Sequence, residues 1–298
     1  MTTAARIALG TAQFGLDYGI TNRTGVLSER AACAVLARAR EVGIQWLDTA
    51  AAYGKAELVL GRMAAPGSGF RICTKVVTAR DAADTVRAAQ SQFEASLGRL
   101  GRERVDVLMI HDAQQLLGAD GAALHRWLAA QKEAGRALAI GASVYDGAEA
   151  LALTARFALD WIQIPLNVLD QRALVDGTLA QLAARGVSIQ ARSALLQGLL
   201  LADPQRLPPA FDAARAPLAR LRAAAAANGI SVLALALTFV ASLPEVAHIV
   251  LGVESPAQLD ECVQALGTSS SSDWRDLACD DPAIVDPRRW PAGVRIAG

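Results

Sequence analysis

Short apolar runs alternate along this chain with longer, Ala-rich segments in which apolar residues recur at helical spacing. The short runs are apolar on both faces, which is typical of strands in a parallel sheet that helices cover on both sides. The predicted strands are residues 44–48, 70–76, 105–110, 137–142, 161–164, 187–191 and 248–251. The segments between them predict the helices 55–64, 81–100, 121–134, 147–158, 170–185, 217–227, 232–243 and 256–266.

The number of strands decides between two architectures. A barrel needs eight parallel strands, and a doubly wound open sheet does not. We expect an eighth strand between Leu195 and Ser231, although the pattern there is helical. Periodicity alone therefore leaves both architectures open.

A single main domain is the simplest organisation for this chain. Barrels of this kind reach 298 residues as one domain, and no linker rich in Gly, Ser or Pro divides the sequence. The stretch 267–272, Gly-Thr-Ser-Ser-Ser-Ser, predicts a flexible segment. The expected division is therefore a main domain over residues 1–266 and a short irregular tail over residues 267–298 that packs on it.

Charge and composition exclude several classes of function. The 29 basic residues balance the 29 acidic ones, so there is no electrostatic reason to expect nucleic acid or an anionic membrane as a partner. The first residues lack a signal-peptide pattern, and the longest apolar runs are much shorter than the about 20 residues of a membrane span. We therefore expect a cytoplasmic protein. The sequence predicts no particular oligomeric state.

The cysteines do not form a recognisable site. Cys33, Cys73, Cys262 and Cys279 are spread along the chain, with no CxxC pair and no neighbouring histidine at metal-ligand spacing. Free thiols that pack as small apolar side chains are the expected state, with no disulfide framework and no metal.

Polar residues follow the predicted strands at the points where the strands end. In a parallel barrel these points meet at one end, where the loops build a pocket for a polar small molecule. The residues at these positions are Asp48 with Tyr53 in its loop, Lys75, His111, Ser143, Gln163 and Arg192.

Several of these positions resemble a known family. The segment 48–54 (DTAAAYG), then Thr74-Lys75 and Ile110-His111, resembles the aldo-keto reductases in order and spacing. The segments 9–15, 140–143, 163–167 and 250–256 are similar too, so the match covers about residues 5–265. The resemblance implies a (β/α)8 TIM barrel and an NAD(P)H-dependent oxidoreductase that reduces an aldehyde or ketone, or oxidises the matching alcohol or sugar.

The resemblance also implies catalytic roles. Tyr53 would give its phenolic proton to the carbonyl oxygen as hydride reaches the carbon. A free phenol has a pKa of about 10, and the Lys75 ammonium is expected to pull that pKa down. Asp48 would hold Lys75 charged, and His111 would hydrogen-bond the carbonyl oxygen. Taken one at a time, each residue has an ordinary structural explanation; four in register favour catalysis.

Cofactor binding follows from the same resemblance, with departures. The implied nucleotide-binding residues are Gly10, Thr11, Ser143, Gln163, Arg192, Ser193, Leu195, Gly252, Glu254 and Gln258. Val144 stands where Asn is usual, and Arg192 replaces the aromatic ring that stacks on nicotinamide. Glu254 stands where Arg is common and would repel a 2′-phosphate. NADP(H) is the expected cofactor, with NAD(H) as the alternative.

Other interpretations remain open at this point. One is a non-catalytic nicotinamide-binding barrel that acts as a sensor or interaction subunit. Another is an aldolase with Lys75 as a Schiff-base nucleophile, although Asp48 would keep Lys75 protonated. The expected substrate is a small carbonyl compound or sugar, and Arg192 with the Arg288-Arg289 pair points to an anionic one such as a sugar phosphate. His125 and His248 are predicted to be structural.

Overall fold

Eight parallel strands close into a barrel, each paired with the next along the chain. The structure is a computed structural model that describes residues 3–64, 66–78, 84–268 and 274–296. The strand β8 returns to pair with β1, so the sheet has no free edge. The strands are β1 (Ile7–Gly10), β2 (Trp46–Asp48), β3 (Arg71–Val76), β4 (Val105–Ile110), β5 (Ala137–Ser143), β6 (Trp161–Pro165), β7 (Ser188–Arg192) and β8 (Val246–Gly252). The closed order confirms the (β/α)8 barrel.

Helices connect the strands and cover the outside of the barrel. They are α1 (Glu29–Glu41), α2 (Ala56–Met63), α3 (Thr85–Leu100), α4 (Ala113–Leu117), α5 (Gly121–Glu133), α6 (Gly147–Arg156), α7 (Arg172–Val175), α8 (Thr178–Ala184), α9 (Arg215–Ala227), α10 (Val232–Ala241), α11 (Pro256–Leu266) and α12 (Pro282–Val285). Several begin at a capping side chain: the hydroxyl of Ser255, for example, accepts from the backbone N–H of Gln258 at the start of α11.

The eighth strand is not where the sequence pattern placed it. The prediction between Leu195 and Ser231 is wrong: that segment forms short 3-10 helices and then α9. The missing strand is β1, close to the start of the chain. All four of its residues are buried, and no α-helix precedes it among the described residues, so the alternation of strands and helices did not mark it.

Most predicted helices match the structure within about two residues at each end, one was divided, and three were not predicted. The segment 170–185 forms α7 and α8, with Gly177 between them in a left-handed conformation (φ 76°) that ends one helix before the next begins. The start of the predicted helix 81–100 falls outside the described residues; Asp84 caps α3 by accepting from the N–H of Arg87. The unpredicted helices are α1, which begins after the capping hydroxyl of Ser28, the short α4, and the single turn α12 in the tail that was expected to be irregular.

Side chains at alternate strand positions fill the barrel in two layers. The lower layer, toward the amino ends of the strands, is apolar and aromatic: Ala8, Trp46, Cys73, Val107, Met109 and Trp161 pack together, with His248 stacked against the two indoles. The upper layer, toward the carboxyl ends, is polar and consists of Asp48, Lys75, Gln163 and Gln190, all buried. Both layers follow from the two-residue period of a strand.

The tail residues that the structure describes contact the barrel and its loops. The ring of Trp290 packs edge-on against the ring of Phe211, with centroids 5.1 Å apart. The N–H of Ile296 donates to the carbonyl of Ile20 at 2.9 Å. Most of the predicted flexible segment 267–272 lies outside the described residues.

Among the described residues, no single helix has both the length and the apolar composition to cross a membrane. One pair, 209–227 and 232–241, meets these criteria only when joined, and it is bent by 90°.

Candidate active site

A buried ion pair lies at the carboxyl end of the barrel. The Lys75 Nζ is 2.7 Å from Asp48 Oδ1 and donates to the carbonyl of Thr49 at 3.0 Å. The side chains of Lys75 and Asp48 are 0% and 3% exposed. Burial lowers the pKa of Lys75, but Asp48 and the other groups around the amine raise it, and the net direction is upward. Lys75 is therefore an ammonium, because its carboxylate partner stabilises the charge that burial disfavours.

The second oxygen of Asp48 is also occupied. The Gln163 Nε2 donates to Asp48 Oδ2 at 2.8 Å and to Gln190 Oε1 at 2.6 Å. Thr11 donates from its hydroxyl to the Asp48 carbonyl at 3.0 Å, which ties the end of β1 to the end of β2. Hydrogen bonds on both carboxylate oxygens fix the direction in which Asp48 holds Lys75.

Tyr53 lies over this pair on the loop after β2. The Lys75 Nζ is 5.2 Å from the centroid of its ring. Burial raises the pKa of the phenol, and Lys75 lowers it without offsetting the full effect. Lys75 thus lowers the pKa of the phenol as expected, while desolvation outweighs it and the net direction is upward. The neutral phenol is nevertheless the form that can donate a proton.

His111 is the fourth predicted catalytic residue and lies beside Tyr53. Its ring lies edge-on to the ring of Tyr53, with centroids 5.7 Å apart and planes at 82°. Burial, then the charges of Lys75 and Arg192, lower the pKa of His111 to about 3. The imidazole is therefore neutral at physiological pH, and one of its nitrogens can donate a hydrogen bond while the other accepts.

Two glycines place the loop of Tyr53. A Cβ built on Gly15 would lie 1.9 Å from the carbonyl oxygen of Tyr53, and one built on Gly54 would lie 2.4 Å from the carbonyl oxygen of Gly15. Gly54 also has a φ of 54°, in the left-handed region. Both glycines therefore allow a close backbone contact between two loops.

The four predicted catalytic residues thus lie together at one end of the barrel. Above them is a cavity of about 510 Å³, within the usual range for small-molecule sites. Tyr53, His111 and Asp48 line it. All ten residues predicted to bind the nucleotide line it as well: Gly10, Thr11, Ser143, Gln163, Arg192, Ser193, Leu195, Gly252, Glu254 and Gln258.

The donors and acceptors on the cavity wall fit a nicotinamide carboxamide, which needs both. Among the described residues, Ser143 Oγ and Gln163 Oε1 have no hydrogen-bond partner, and both side chains line the cavity. Val144, which stands where the family usually has Asn, has an apolar side chain that is fully buried in the core and offers the carboxamide no hydrogen bond.

The loop after β7 carries unusual backbone conformations. Ser193, Leu196 and Gln197 have positive φ angles of 59°, 48° and 54°, which non-glycine residues rarely adopt. Asn167 supports this loop by donating to the carbonyl of Ser193 at 3.2 Å. Such strain is typical of segments that shape a binding site.

The wall after β8 is acidic. Glu254 and Glu261 both line the cavity there, beside Gln258. Thr24 donates to Glu254 Oε2 at 3.2 Å, and the Glu254 N–H donates to Gln258 Oε1 at 2.7 Å. No basic residue among the described lining residues comes from this loop or from α11.

Two arginines lie against one tyrosine on another part of the wall. The guanidinium carbons of Arg192 and Arg288 are 4.5 and 3.6 Å from the ring centroid of Tyr145. Arg192 also donates to the carbonyl of Val144 at 2.9 Å and to Ser193 Oγ at 3.3 Å. Arg192 therefore stacks on a side chain of the protein.

Several lining residues were not predicted as part of the site. Tyr145 lies two residues beyond the end of β5, so the rule that sites follow strand ends could have found it. Glu261 lies one helical turn after Gln258 on α11. Arg288 comes from the tail: the sequence named it with Arg289 as a candidate for binding an anionic substrate, and of the two the structure brings Arg288 to the described cavity wall.

The two remaining histidines lie elsewhere. His248 stacks on Trp161 in the lower layer, with ring centroids 5.4 Å apart. His125 stacks on Phe157 at 4.8 Å, and its Nε2 is 3.1 Å from the carbonyl of Ala158. Both have structural contacts, as predicted. Among the described residues no group of His, Cys, Asp and Glu is arranged to hold a metal ion.

Comparison with known proteins agrees with this geometry. The model of the aldo/keto reductase family matches residues 6–277. The chain belongs to the aldo/keto reductase family. Membership supports an NAD(P)H-dependent oxidoreductase activity in general terms.

Relatives of this aldo/keto reductase include proteins from plants and bacteria. It is 26% identical over 300 residues to an L-galactose dehydrogenase of Arabidopsis thaliana, covering 91% of this chain and 90% of the relative. It is 32% identical over 186 residues to an aldo-keto reductase of Mycolicibacterium vanbaalenii, covering 60% and 64%. The holo form of aldo-keto reductase AKR11C1 from Bacillus halodurans shares the fold, with a TM-score of 0.74, 19% identity and 95% of both chains covered.

Proposed function

We propose that this chain reduces an aldehyde or ketone with NAD(P)H, or oxidises the matching alcohol or sugar, with Tyr53 as the general acid and base. The observation that carries the proposal is the buried pair of Lys75 and Asp48, 2.7 Å apart, beneath Tyr53 and next to neutral His111. A charged lysine without a nucleophilic lone pair does not support the aldolase alternative.

Each side chain then has a task in reduction. The bound nucleotide supplies the hydride that reaches the carbonyl carbon. Tyr53 gives its phenolic proton to the carbonyl oxygen, and the Lys75 ammonium stabilises the phenolate that remains. His111, neutral, donates a hydrogen bond that holds the carbonyl oxygen near Tyr53. Asp48 keeps Lys75 protonated throughout, and in alcohol oxidation the same groups act in reverse.

Substitution of Tyr53 tests this proposal. Tyr53→Phe removes the transferable proton and leaves the ring, so we expect the rate of NADPH oxidation with a panel of aldehydes to fall by about 10²–10⁴-fold. The dissociation constant for NADPH, measured by quenching of intrinsic fluorescence, should stay within about twofold. Unchanged single-turnover rates in Tyr53→Phe would remove Tyr53 from the mechanism. Binding of NADPH by the wild-type protein without turnover of any aldehyde would favour a sensor or interaction subunit.

The nucleotide preference depends on the acidic wall after β8. We propose NADP(H) as the cofactor, as the resemblance implies, with a preference over NAD(H) that Glu254 weakens because its carboxylate repels a 2′-phosphate. Glu254→Arg should raise the NADPH-to-NADH ratio of kcat/KM, and Glu254→Gln should raise it less. An unchanged ratio in both variants would show that Glu254 does not face the adenosine.

A further inference from the structure

Arg192 is a cation without a partner of opposite charge beside the catalytic group. Its guanidinium has five N–H donors, and the protein engages it through one carbonyl, that of Val144, and one hydroxyl, that of Ser193. Among the described residues no carboxylate forms an ion pair with it. The side chain is only partly exposed, so solvent does not fully compensate its charge.

Two ion pairs lie near Arg192 and leave it out. Asp48 is paired with Lys75, and Asp286 is paired with Arg288 through bonds of 2.9 Å to Nε and 2.7 Å to Nη2. The charge of Arg192 acts on the catalytic residues, since it lowers the pKa of His111 and, together with Lys75, that of Tyr53. The cavity wall beside Tyr53 therefore holds a cation that no carboxylate of the described residues pairs with.

Tyr145 joins Arg192 to a second cation. Its ring lies against both guanidinium groups, and its own N–H donates to Glu149 Oε2 at 2.7 Å. Arg288 is exposed. Its Nε and Nη2 donate to Asp286, and its Nη1 takes no part in those two bonds. Contact with the tyrosine ring restrains both guanidinium planes, which lowers the entropy that a ligand must overcome to be bound by them.

We propose that the substrate is a carbonyl compound that also carries an anionic group, a carboxylate or a phosphate, which binds Arg192 with Arg288 as the second cation. The inference rests on the proposed reductase function. Arginine presents parallel N–H donors that match these anions, whereas lysine presents a single point charge. The acidic wall at Glu254 and Glu261 lies after β8 and would repel the same anion, so it directs the anion toward Arg192.

Matched probe pairs measure this selectivity. One pair is 4-carboxybenzaldehyde and its methyl ester, methyl 4-formylbenzoate; the other is glyceraldehyde 3-phosphate and glyceraldehyde. We expect the wild-type protein to prefer the anionic member of at least one pair by about tenfold or more in kcat/KM, the size expected of one charge-assisted hydrogen bond. The pair with the larger ratio identifies the anion. Because the contact is electrostatic, the ratio should fall as salt is added.

Three variants assign the selectivity to residues. Arg192→Gln should reduce the ratio to near one, and Arg192→Lys should keep part of it. Arg288→Gln should lower it by a smaller factor, and this exposed tail position does not endanger folding. Arg289→Gln is the matched control, because the neighbouring arginine is exposed and is not part of the described cavity wall; it should leave the ratio unchanged.

Several results would overturn the inference. Equal kcat/KM for both members of each pair, in a wild-type protein that turns them over, would do so and would leave the proposed function intact. The same holds if the arginine variants weaken NADPH binding without changing the ratio, which would assign the arginines to the nucleotide's phosphates. Bound NADPH without turnover of any probe would also exclude the inference. Failure to bind NADPH or NADH would instead remove the proposed function, and this inference with it.

Discussion

The two layers of the barrel interior are built from the same strands and differ completely in chemistry. On β2 Trp46 belongs to the lower layer and Asp48 to the upper, and on β6 Trp161 and Gln163 divide in the same way. Each change of layer takes two residues, one strand period. The lower layer is apolar and tightly packed. The upper layer holds a buried ion pair, and hydrogen bonds from Gln163 and Thr11 support its Asp48. Stability and chemistry are thus separated along each strand by about 7 Å.

Substitution in the upper layer should have the largest effect on activity. Lys75→Met leaves the buried Asp48 carboxylate without its cation, which should lower the free energy of unfolding by about 3–5 kcal/mol. It also removes the cation that stabilises the phenolate of Tyr53, so kcat should fall by about 10³-fold or more. Steady-state kinetics and urea unfolding measure the two effects.

A double variant separates these two consequences. Adding Asp48→Asn to Lys75→Met removes the unpaired charge, and we expect it to restore part of the stability but none of the activity. Recovery of activity along with stability would mean that the pair only supports the fold, and the contrast between the layers would lose its functional meaning.

Substitution in the lower layer should reduce stability and leave activity almost unchanged. Trp161 contacts Trp46 and His248, with ring centroids at 5.0 and 5.4 Å. Trp161→Leu should lower the free energy of unfolding by about 2–4 kcal/mol, because the smaller side chain leaves a cavity. At 25 °C, kcat/KM should stay within about twofold of the wild-type value. A tenfold loss in the folded variant would show that the layers are coupled.

The pH dependence of stability should locate a titrating group in the lower layer. Burial, then Arg6 and Arg71, lower the pKa of His248 to about 4. Above pH 6.5 the imidazole is neutral in both states. Below it, the unfolded chain binds a proton that folded His248 does not take up until about pH 4, so stability falls over this window, by at most about 3 kcal/mol.

His248→Phe keeps an aromatic ring on the indoles and removes the proton. We expect a smaller loss of stability between pH 6.5 and 4 than in the wild-type protein, measured by urea unfolding at several pH values. His111, whose pKa is lowered to about 3, contributes a loss of the same sign in both proteins. Identical pH profiles for the variant and the wild-type protein would contradict the assignment to His248.

The smallest effect on stability and activity is expected at Gln190, the member of the upper layer that is not hydrogen-bonded to the ion pair. Gln190 Oε1 accepts from Gln163, and its buried Nε2 has no partner among the described residues. Gln190→Met removes one hydrogen bond and one unsatisfied donor, so stability should change by no more than about 1 kcal/mol. Gln163 becomes less constrained, and KM for NADPH should rise about threefold with kcat unchanged. Gln190→Glu is the matched comparison, since it keeps the acceptor.

The sequence predicted most of the fold and the strand ends that carry the candidate catalytic residues. Asp48, Tyr53, Lys75 and His111 follow three successive strands, and seven strands stand out as apolar runs between helical segments. The strand β1 was missed because no α-helix precedes it among the described residues, so the alternation of strands and helices did not mark it. The net direction of the Tyr53 pKa could not be predicted, because desolvation depends on neighbours that only the fold supplies. The position of Arg288 depends on a tail path that no local pattern encodes.

The contact between Gly15 and Gly54 has a consequence for how precisely Tyr53 is held. Two main chains that touch without any Cβ between them meet at their repulsive cores, where energy rises steeply with small displacements. A side-chain contact could adapt by changing rotamer; this one cannot. A single added methyl group at either glycine would therefore force the loop that carries Tyr53 to move.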